Sequence, residues 1–260
     1  MVEVPHAGLG VDPESLATLV APANSLGRDA DLYVDELFAD APAAGAALLV
    51  ARLSRYVIDL NRGESDVDPY AVEGGSARPT PHGLIWRTTT EGHAALAAPL
   101  SRRELERRLD RYYRPYHARL GELLEERRRE FGFAILLCAH SMPSRGRAGH
   151  RDAGRTRADI VPGSRGQTSA ARAVIDCVDR AARESGFSVA HDDPYRGGFS
   201  TGNYGKPTEA LHAIQIEIAR SRYMDETALT KKPKEFQKMR EFSRSVTARL
   251  AELRLSSSTA

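Results

Sequence analysis

Little in this sequence suits the outside of a cell. Cysteine is scarce: Cys138 and Cys177 are the two in 260 residues. That excludes a disulfide framework, and the pair lacks zinc-finger spacing. Both fit a reducing cytoplasm, with Cys138 acting as a small hydrophobe inside an apolar run. The opening residues, MVEVPHAGLG, have no basic segment followed by an apolar one, so no secretory signal is expected. No apolar run approaches the roughly 20 residues that a membrane span needs. Excess charge is also lacking: 37 Lys and Arg face 35 Asp and Glu, a net charge of +2. No overall field therefore favours nucleic acid or a membrane surface. Internal repeats are absent, and the length suits one α/β domain over residues 1–260.

The chain is organised around Phe133 to Ser144, FAILLCAHSMPS. Phe133 to Ala139 are apolar without a break, the pattern of a strand covered on both faces in a parallel sheet. The run ends at His140. Ligands in open parallel sheets bind beyond the carboxyl ends of the strands, so His140 is a candidate metal ligand or base, or a histidine hydrogen-bonded to a loop.

Val2 to Val4 predict a short strand ending in Pro5 and a second histidine, His6. Asp12 and Pro13 open a helix to Val20, and Ala21 to Ala30 reads as a loop. In DADLYVDELF, Val34, Leu37 and Phe38 mark the apolar side of a helix. Asp31 shares that side, whereas Glu36 faces solvent. A buried carboxylate needs a partner, either a metal or the helix N-terminus that it caps. Ala46 to Leu53 and Arg55 to Leu60 read as strands. In RYVIDLNR, Tyr56, Ile58 and Leu60 point one way, and Arg55, Val57, Asp59 and Asn61 the other. Arg55 and Asp59 then form an ion pair on a solvated face, or Arg55 joins Asn61 and Arg62 in clamping an anion.

Residues 66–81 read as a surface loop, and GLIWRTTTEG as a short apolar segment carrying Arg87. Ser101 and Glu104 make a capping box for a long helix that Pro115 kinks or splits. Its inner face is Leu105, Leu109, Tyr112, Tyr113, Tyr116 and Leu120. Arg145 to Gly166 is a long loop with six arginines. A helix over Ala170 to Ser185, capped by Thr168 or Ser169, and a strand over Phe187 to Ala190 follow. Asp192 to Pro207 is a glycine-rich loop holding Arg196. In the last strong strand, Leu211 to Ala219, Ile214, Ile216 and Ile218 alternate with Gln215 and Glu217. A carboxylate in a buried sheet is tuned for acid–base work. An amphipathic helix, Lys234 to Leu253, precedes a frayed tail at Ser256 to Ala260.

Four inward or strand-end polar groups stand out: His6, Asp31, His140 and Glu217. Two histidines and a carboxylate make a three-ligand set for catalytic zinc, and a separate glutamate can serve as base.

The segments PHAGLG, DADLYVDELF, LSRYVIDLNRG, YHARL, AHSMPS and YGKPTEALHAIQIEIARSRYMDE resemble the N-formylglutamate amidohydrolase (deformylase) family, collinearly from about Val2 to Glu226. The resemblance implies a zinc-carboxypeptidase-like α/β/α fold in three layers, with a mixed, mostly parallel central sheet. It implies one zinc held by His6, Asp31 and His140, with Asp29 as an alternative to Asp31, and Glu217 as general base. Asn61 and Arg62 match a carboxylate-holding Asn-Arg pair. The implied substrate is a small anionic N-formyl or N-acyl amino acid, with N-formyl-L-glutamate first. Its two carboxylates call for arginines: Arg62, then Arg87 and Arg55, then Arg196. A peptide-cleaving carboxypeptidase-like enzyme, or an anion-binding protein using the Arg145 to Arg165 loop, are the other classes. Where the carboxypeptidases space their first two ligands three apart, His6 and Asp31 are far apart in sequence, and the Arg-rich loop is not typical of the family.

Overall fold

The structure, a computed structural model, describes residues 1–75 and 78–255. The expected frayed tail lies outside the described residues. The chain divides into two compact units. One comprises Met1–Val4, Tyr33–Leu49 and Gly121–Ala260; the other comprises Pro5–Leu32 and Val50–Leu120.

The first unit is built on a five-stranded sheet of order β2-β1-β3-β5-β4, with β1 Val2–Val4, β2 Leu48–Val50, β3 Ala134–Met142, β4 Ile160–Gly163 and β5 Leu211–Ala219. β1 runs parallel to β3, β3 runs parallel to β5, and β4 is antiparallel to β5. The sheet is thus mixed and mostly parallel, in an α/β fold whose flanking helices are α3 Val34–Leu37, α6 Arg172–Glu184, α7 Phe199–Tyr204 and α8 Pro233–Glu252. Residues on both faces of β3 are buried throughout. That is why its sequence is continuously apolar instead of alternating.

β3 does not stop at His140. The ladder with β5 continues through His140↔Glu217 and Ser141↔Ile218 to Met142↔Ala219. Backbone pairing carries the strand three residues past its apolar run, because a ladder needs no particular side chain. The polar alternation of β5 is real, yet Gln215 and Glu217 are buried like the isoleucines.

Several sequence expectations change. β4 lies inside the stretch read as a long loop. It is short, at the sheet edge, and includes Pro162, which an edge strand tolerates but which conceals it in the sequence. The Phe187 to Ala190 strand reduces to one bridge, Ile160↔Val189. The glycine-rich stretch contains α7. α6 starts at Arg172 with Ala171 as its N-cap, not Thr168 or Ser169. Asp31 does not cap α3; Tyr33, at φ 67°, holds the N-cap position.

In the second unit, α1 is only Pro13–Leu16, with the Asp12 side chain accepting from the Ser15 N–H, and α2 Ala23–Asp29 occupies the expected loop. Ser101 caps α4 Arg102–Arg108 as expected. A widened turn, Leu109–Tyr113, joins it to α5 Arg114–Phe131, whose residues from Gly121 on belong to the first unit. That turn falls just before Pro115, which lacks an N–H for the regular ladder.

The Arg55 to Leu60 strand is absent. Tyr56, Val57, Ile58, Asp59 and Leu60 are all buried, so neither set of alternating residues faces water. The backbone turns instead, with Val57 N–H donating to Ser54 O and Asp59 N–H to Leu84 O. Among the described residues no helix is long and apolar enough to cross a membrane.

Candidate functional site

In the second unit the excursion from His6 out through α1 and α2 returns to its start. The Asp31 N–H donates to the His6 carbonyl at 2.9 Å. That backbone bond brings together two side chains 25 positions apart. His6 and Asp31 are both 2% exposed.

His6 Nε2 lies 2.8 Å from Asp59 Oδ1. A carboxylate only accepts, so Nε2 carries a proton, and in the neutral ring Nδ1 is then the atom with the lone pair. Nδ1 in turn lies 3.6 Å from Asp31 Oδ2. This is too long for a hydrogen bond. A ring nitrogen and a carboxylate oxygen at that spacing suit one divalent cation, since Zn–N and Zn–O bonds are about 2.0–2.2 Å. The donor set therefore fits a metal.

Asp59 is the group that sequence reasoning left on a solvated strand face. It is wholly buried. Its Oδ1 also accepts from the Asn61 N–H at 2.9 Å, and its Oδ2 from Trp86 Nε1 at 2.9 Å and Arg55 Nη2 at 2.7 Å. Burial alone would raise this carboxyl, but the charges of Arg55, His6 and Arg62 and the His6 hydrogen bond hold it well below the usual carboxylate range. A carboxylate behind a ligating histidine fixes its tautomer and ring angle. The available signal was the Asp in LSRYVIDLNRG, but the alternation reading turned it outward.

Arg55 is stacked over Trp86, 4.2 Å from the ring centroid. It is engaged by Asp59 and by the Asp29 carbonyl. Asp29 spends its carboxylate on Tyr56 Oη, the Thr90 N–H and Thr90 Oγ1. Arg62 donates to the His82 carbonyl at 2.8 Å and to the Asn61 carbonyl at 3.0 Å. Arg87 pairs with Asp68 at 3.4 Å and lies over Tyr70.

In the first unit, His140 and Glu217 are direct register partners on adjacent parallel strands, so their side chains share one face. They are 3% and 6% exposed. Glu217 Oε1 accepts from Gln215 Nε2 at 3.0 Å, and Gln215 Oε1 accepts from the Gly198 N–H at 2.9 Å. The glycine-rich stretch therefore holds Gln215, and Gln215 holds Glu217. Sequence reasoning missed that link, as it missed Arg220, which is buried and donates to Ser141 Oγ at 3.1 Å. Arg196 is exposed in the same glycine-rich stretch. His212 sits at the opposite end of β5 and accepts from the Ala171 N–H. In the Arg-rich loop, Arg157 pairs with Asp152 and Arg155 with Asp193.

Fold and polar groups together define an α/β protein in which each unit carries a buried histidine with carboxylates beside it, His6 with Asp31 and Asp59 in one and His140 with Glu217 in the other. The N-formylglutamate amidohydrolase family profile matches residues 1–224, and the chain belongs to that family. It is 34% identical over 230 residues to an N-formylglutamate deformylase of Pseudomonas putida, covering 87% of this chain and 82% of the relative. A Pseudomonas aeruginosa N-formylglutamate deformylase is 34% identical over 233 residues, covering 88% and 83%. The crystal structure of an N-formylglutamate amidohydrolase from Ralstonia eutropha superposes with a TM-score of 0.87 at 34% identity, covering 96% of this chain and 92% of that one. A gene product of Agrobacterium tumefaciens, at 20% identity and TM-score 0.65, shares the fold.

Proposed function

We propose that this chain hydrolyses the formamide bond of a small N-formyl amino acid, N-formyl-L-glutamate first, and that residues 1–260 act as one catalytic domain. The family match spanning both units supports the single domain. The N-formylglutamate deformylases among its relatives support the substrate. In this reading His6, Asp31 and His140 hold one divalent metal, zinc by the chemistry of two imidazoles and one carboxylate. The observation that carries it is that buried His6 and Asp31 present Nδ1 and Oδ2 3.6 Å apart, the spacing of two ligands of one small cation; His140, buried at the carboxyl end of β3, is the second histidine. A metal in such a site supplies a Lewis acid and an acidified water.

The remaining roles fall to the protein. Glu217, oriented by Gln215, takes a proton from the attacking water and passes it to the departing amine. Water adds to the formyl carbon, the C–N bond breaks, and formate and free glutamate leave. Arg62 with Asn61 holds a substrate carboxylate, with Arg87 and Arg196 as further cations. Arg55 stands behind the site, fixing Asp59 and through it His6. Asp31 is the ligand rather than Asp29, whose oxygens are already engaged by Tyr56 and Thr90.

The test is formate release across a panel of N-formyl-L-glutamate, N-formyl-L-aspartate, N-formyl-L-leucine and N-acetyl-L-glutamate. Turnover is expected to be fastest with N-formyl-L-glutamate. No release from any of them, with release of amino acids from peptides instead, would replace this reading by the peptidase one.

A further inference from the structure

Tyr195, in the glycine-rich stretch, has no part in the reaction as described so far. It packs against the buried cluster of Met142, Val161 and Ala219. Met142 and Ala219 lie two residues beyond His140 and Glu217 on their strands, so strand alternation turns them to the same face. Val161 pairs directly with Glu217. The ring therefore sits at the carboxyl ends of β3 and β5, beside Glu217.

The Tyr195 hydroxyl is 3.3 Å from Arg157 Nη1. A guanidinium has only donors, so the phenol oxygen accepts in that bond. The phenol's own hydrogen has no acceptor among the described residues. Arg157 is buried and fully engaged. It holds Asp152 with Nε and Nη2, each at 2.8 Å, and donates to the Pro143 carbonyl at 3.1 Å and to His150 Nδ1 at 2.6 Å. Its guanidinium carbon lies 5.1 Å from the Tyr195 ring centroid. A cation so occupied positions the phenol and is not available to a substrate anion. Burial first, and then the Glu217 charge, raise the Tyr195 phenol, which keeps it protonated and able to donate at neutral pH.

We propose that Tyr195 is a further catalytic residue, donating a hydrogen bond to the acyl oxygen of the scissile amide as negative charge develops there. This rests on the deformylase reading above. The proton stays on the phenol, so the balance of the reaction is unchanged: one water is consumed, one C–N bond breaks, and one formate and one amine form. Arg157 strengthens the donor by drawing charge from the phenol oxygen, as chained hydrogen bonds polarise one another.

The experiment is steady-state kinetics of Tyr195→Phe with N-formyl-L-glutamate. The substitution keeps the ring on Met142 and Ala219 and leaves Arg157 its Asp152 and Pro143 contacts. Loss of one donor to a developing oxyanion lowers kcat by about 10²–10³-fold, with KM expected within about threefold of wild type. A kcat within about threefold of wild type overturns the role, as does an effect confined to KM, which marks ground-state binding. Wild-type protein that releases no formate from any N-formyl amino acid ends the deformylase reading and this role together. Active wild type with an unimpaired Tyr195→Phe ends this role alone.

Discussion

Asp59 and His6 are joined by a buried 2.8 Å hydrogen bond between Oδ1 and Nε2, and that contact decides which nitrogen of His6 can serve a metal. With Nε2 committed, Nδ1 is the atom left for a metal in the proposed site. Four donors converge on Asp59 to fix it: His6, the Asn61 N–H, Trp86 and Arg55.

Asp59→Asn should therefore weaken metal binding although Asp59 touches no metal. The amide can present a donor to Nε2 and favour the wrong tautomer. A fall of about 10–100-fold in zinc affinity is expected for loss of such a partner, measured by competition with a chromogenic chelator. Unchanged affinity would mean that Asp59 is only a structural carboxylate.

Glu217→Gln should separate base from ligand. It keeps the shape and the neighbouring Gln215, so metal content should match wild type while kcat falls by about 10²–10⁴-fold. Loss of the metal from this variant would make Glu217 a ligand and free Asp31 from that role.

Arg62→Ala should raise KM for the dicarboxylate substrate by an amount equivalent to roughly 1.5–3 kcal/mol, one charged hydrogen bond. Arg62 also ties the His82 and Asn61 carbonyls, so the melting temperature should fall too. Arg62→Lys should keep the charge and recover only part of the KM, because the planar fork is lost. Equal kcat/KM for wild type and Arg62→Ala would remove Arg62 from the substrate site.

His117 gives a pH signature of stability. Burial pushes its imidazole down from 6.5 to about 4, against the opposing hydrogen bond to the Leu60 carbonyl and the charge of Glu64. A depressed histidine contributes its full stability above the unfolded value and loses it as pH falls, because the unfolded chain then binds the proton more readily. Between pH 6.5 and about 4 the unfolding free energy should drop by up to about 3 kcal/mol from this group. His117→Gln should flatten that part of a urea-unfolding pH series. An unchanged slope would show that His117 protonates as easily folded as unfolded.

What the sequence made legible follows from which forces are local. β3 and β5 announce themselves because strands covered on both faces must be apolar, and both chemical groups on them, His140 and Glu217, were placed at the correct strand ends. His6 was legible for the same reason at the end of β1. The family segments suggested that these distant pieces act together, which spacing alone could not. Asp59 was misplaced because alternation presumes a half-solvated strand, whereas that segment turns through a core and satisfies its carboxylate with side chains distant in sequence, such as Trp86. Arg108 was hidden likewise. It is wholly buried though it lies outside the apolar face read from the sequence, because its partners include the Val57 carbonyl, 51 positions away, and Thr18, 90 positions away. β4 was too short, and too marked by Pro162 and Gly163, to read as a strand. The Gly198–Gln215–Glu217 chain of hydrogen bonds has no sequence signal, since its first link joins residues 17 positions apart.

The most direct measurement is formate release from N-formyl-L-glutamate by the purified protein before chelation, after removal of metal with a strong chelator, and after zinc is restored. Equimolar formate and glutamate, activity lost with the metal, recovery with about one zinc per chain, and neither metal nor activity in His6→Ala, His140→Ala are the predicted results. Full formate release by the metal-free protein, or stoichiometric zinc retained by the double variant, would contradict the account.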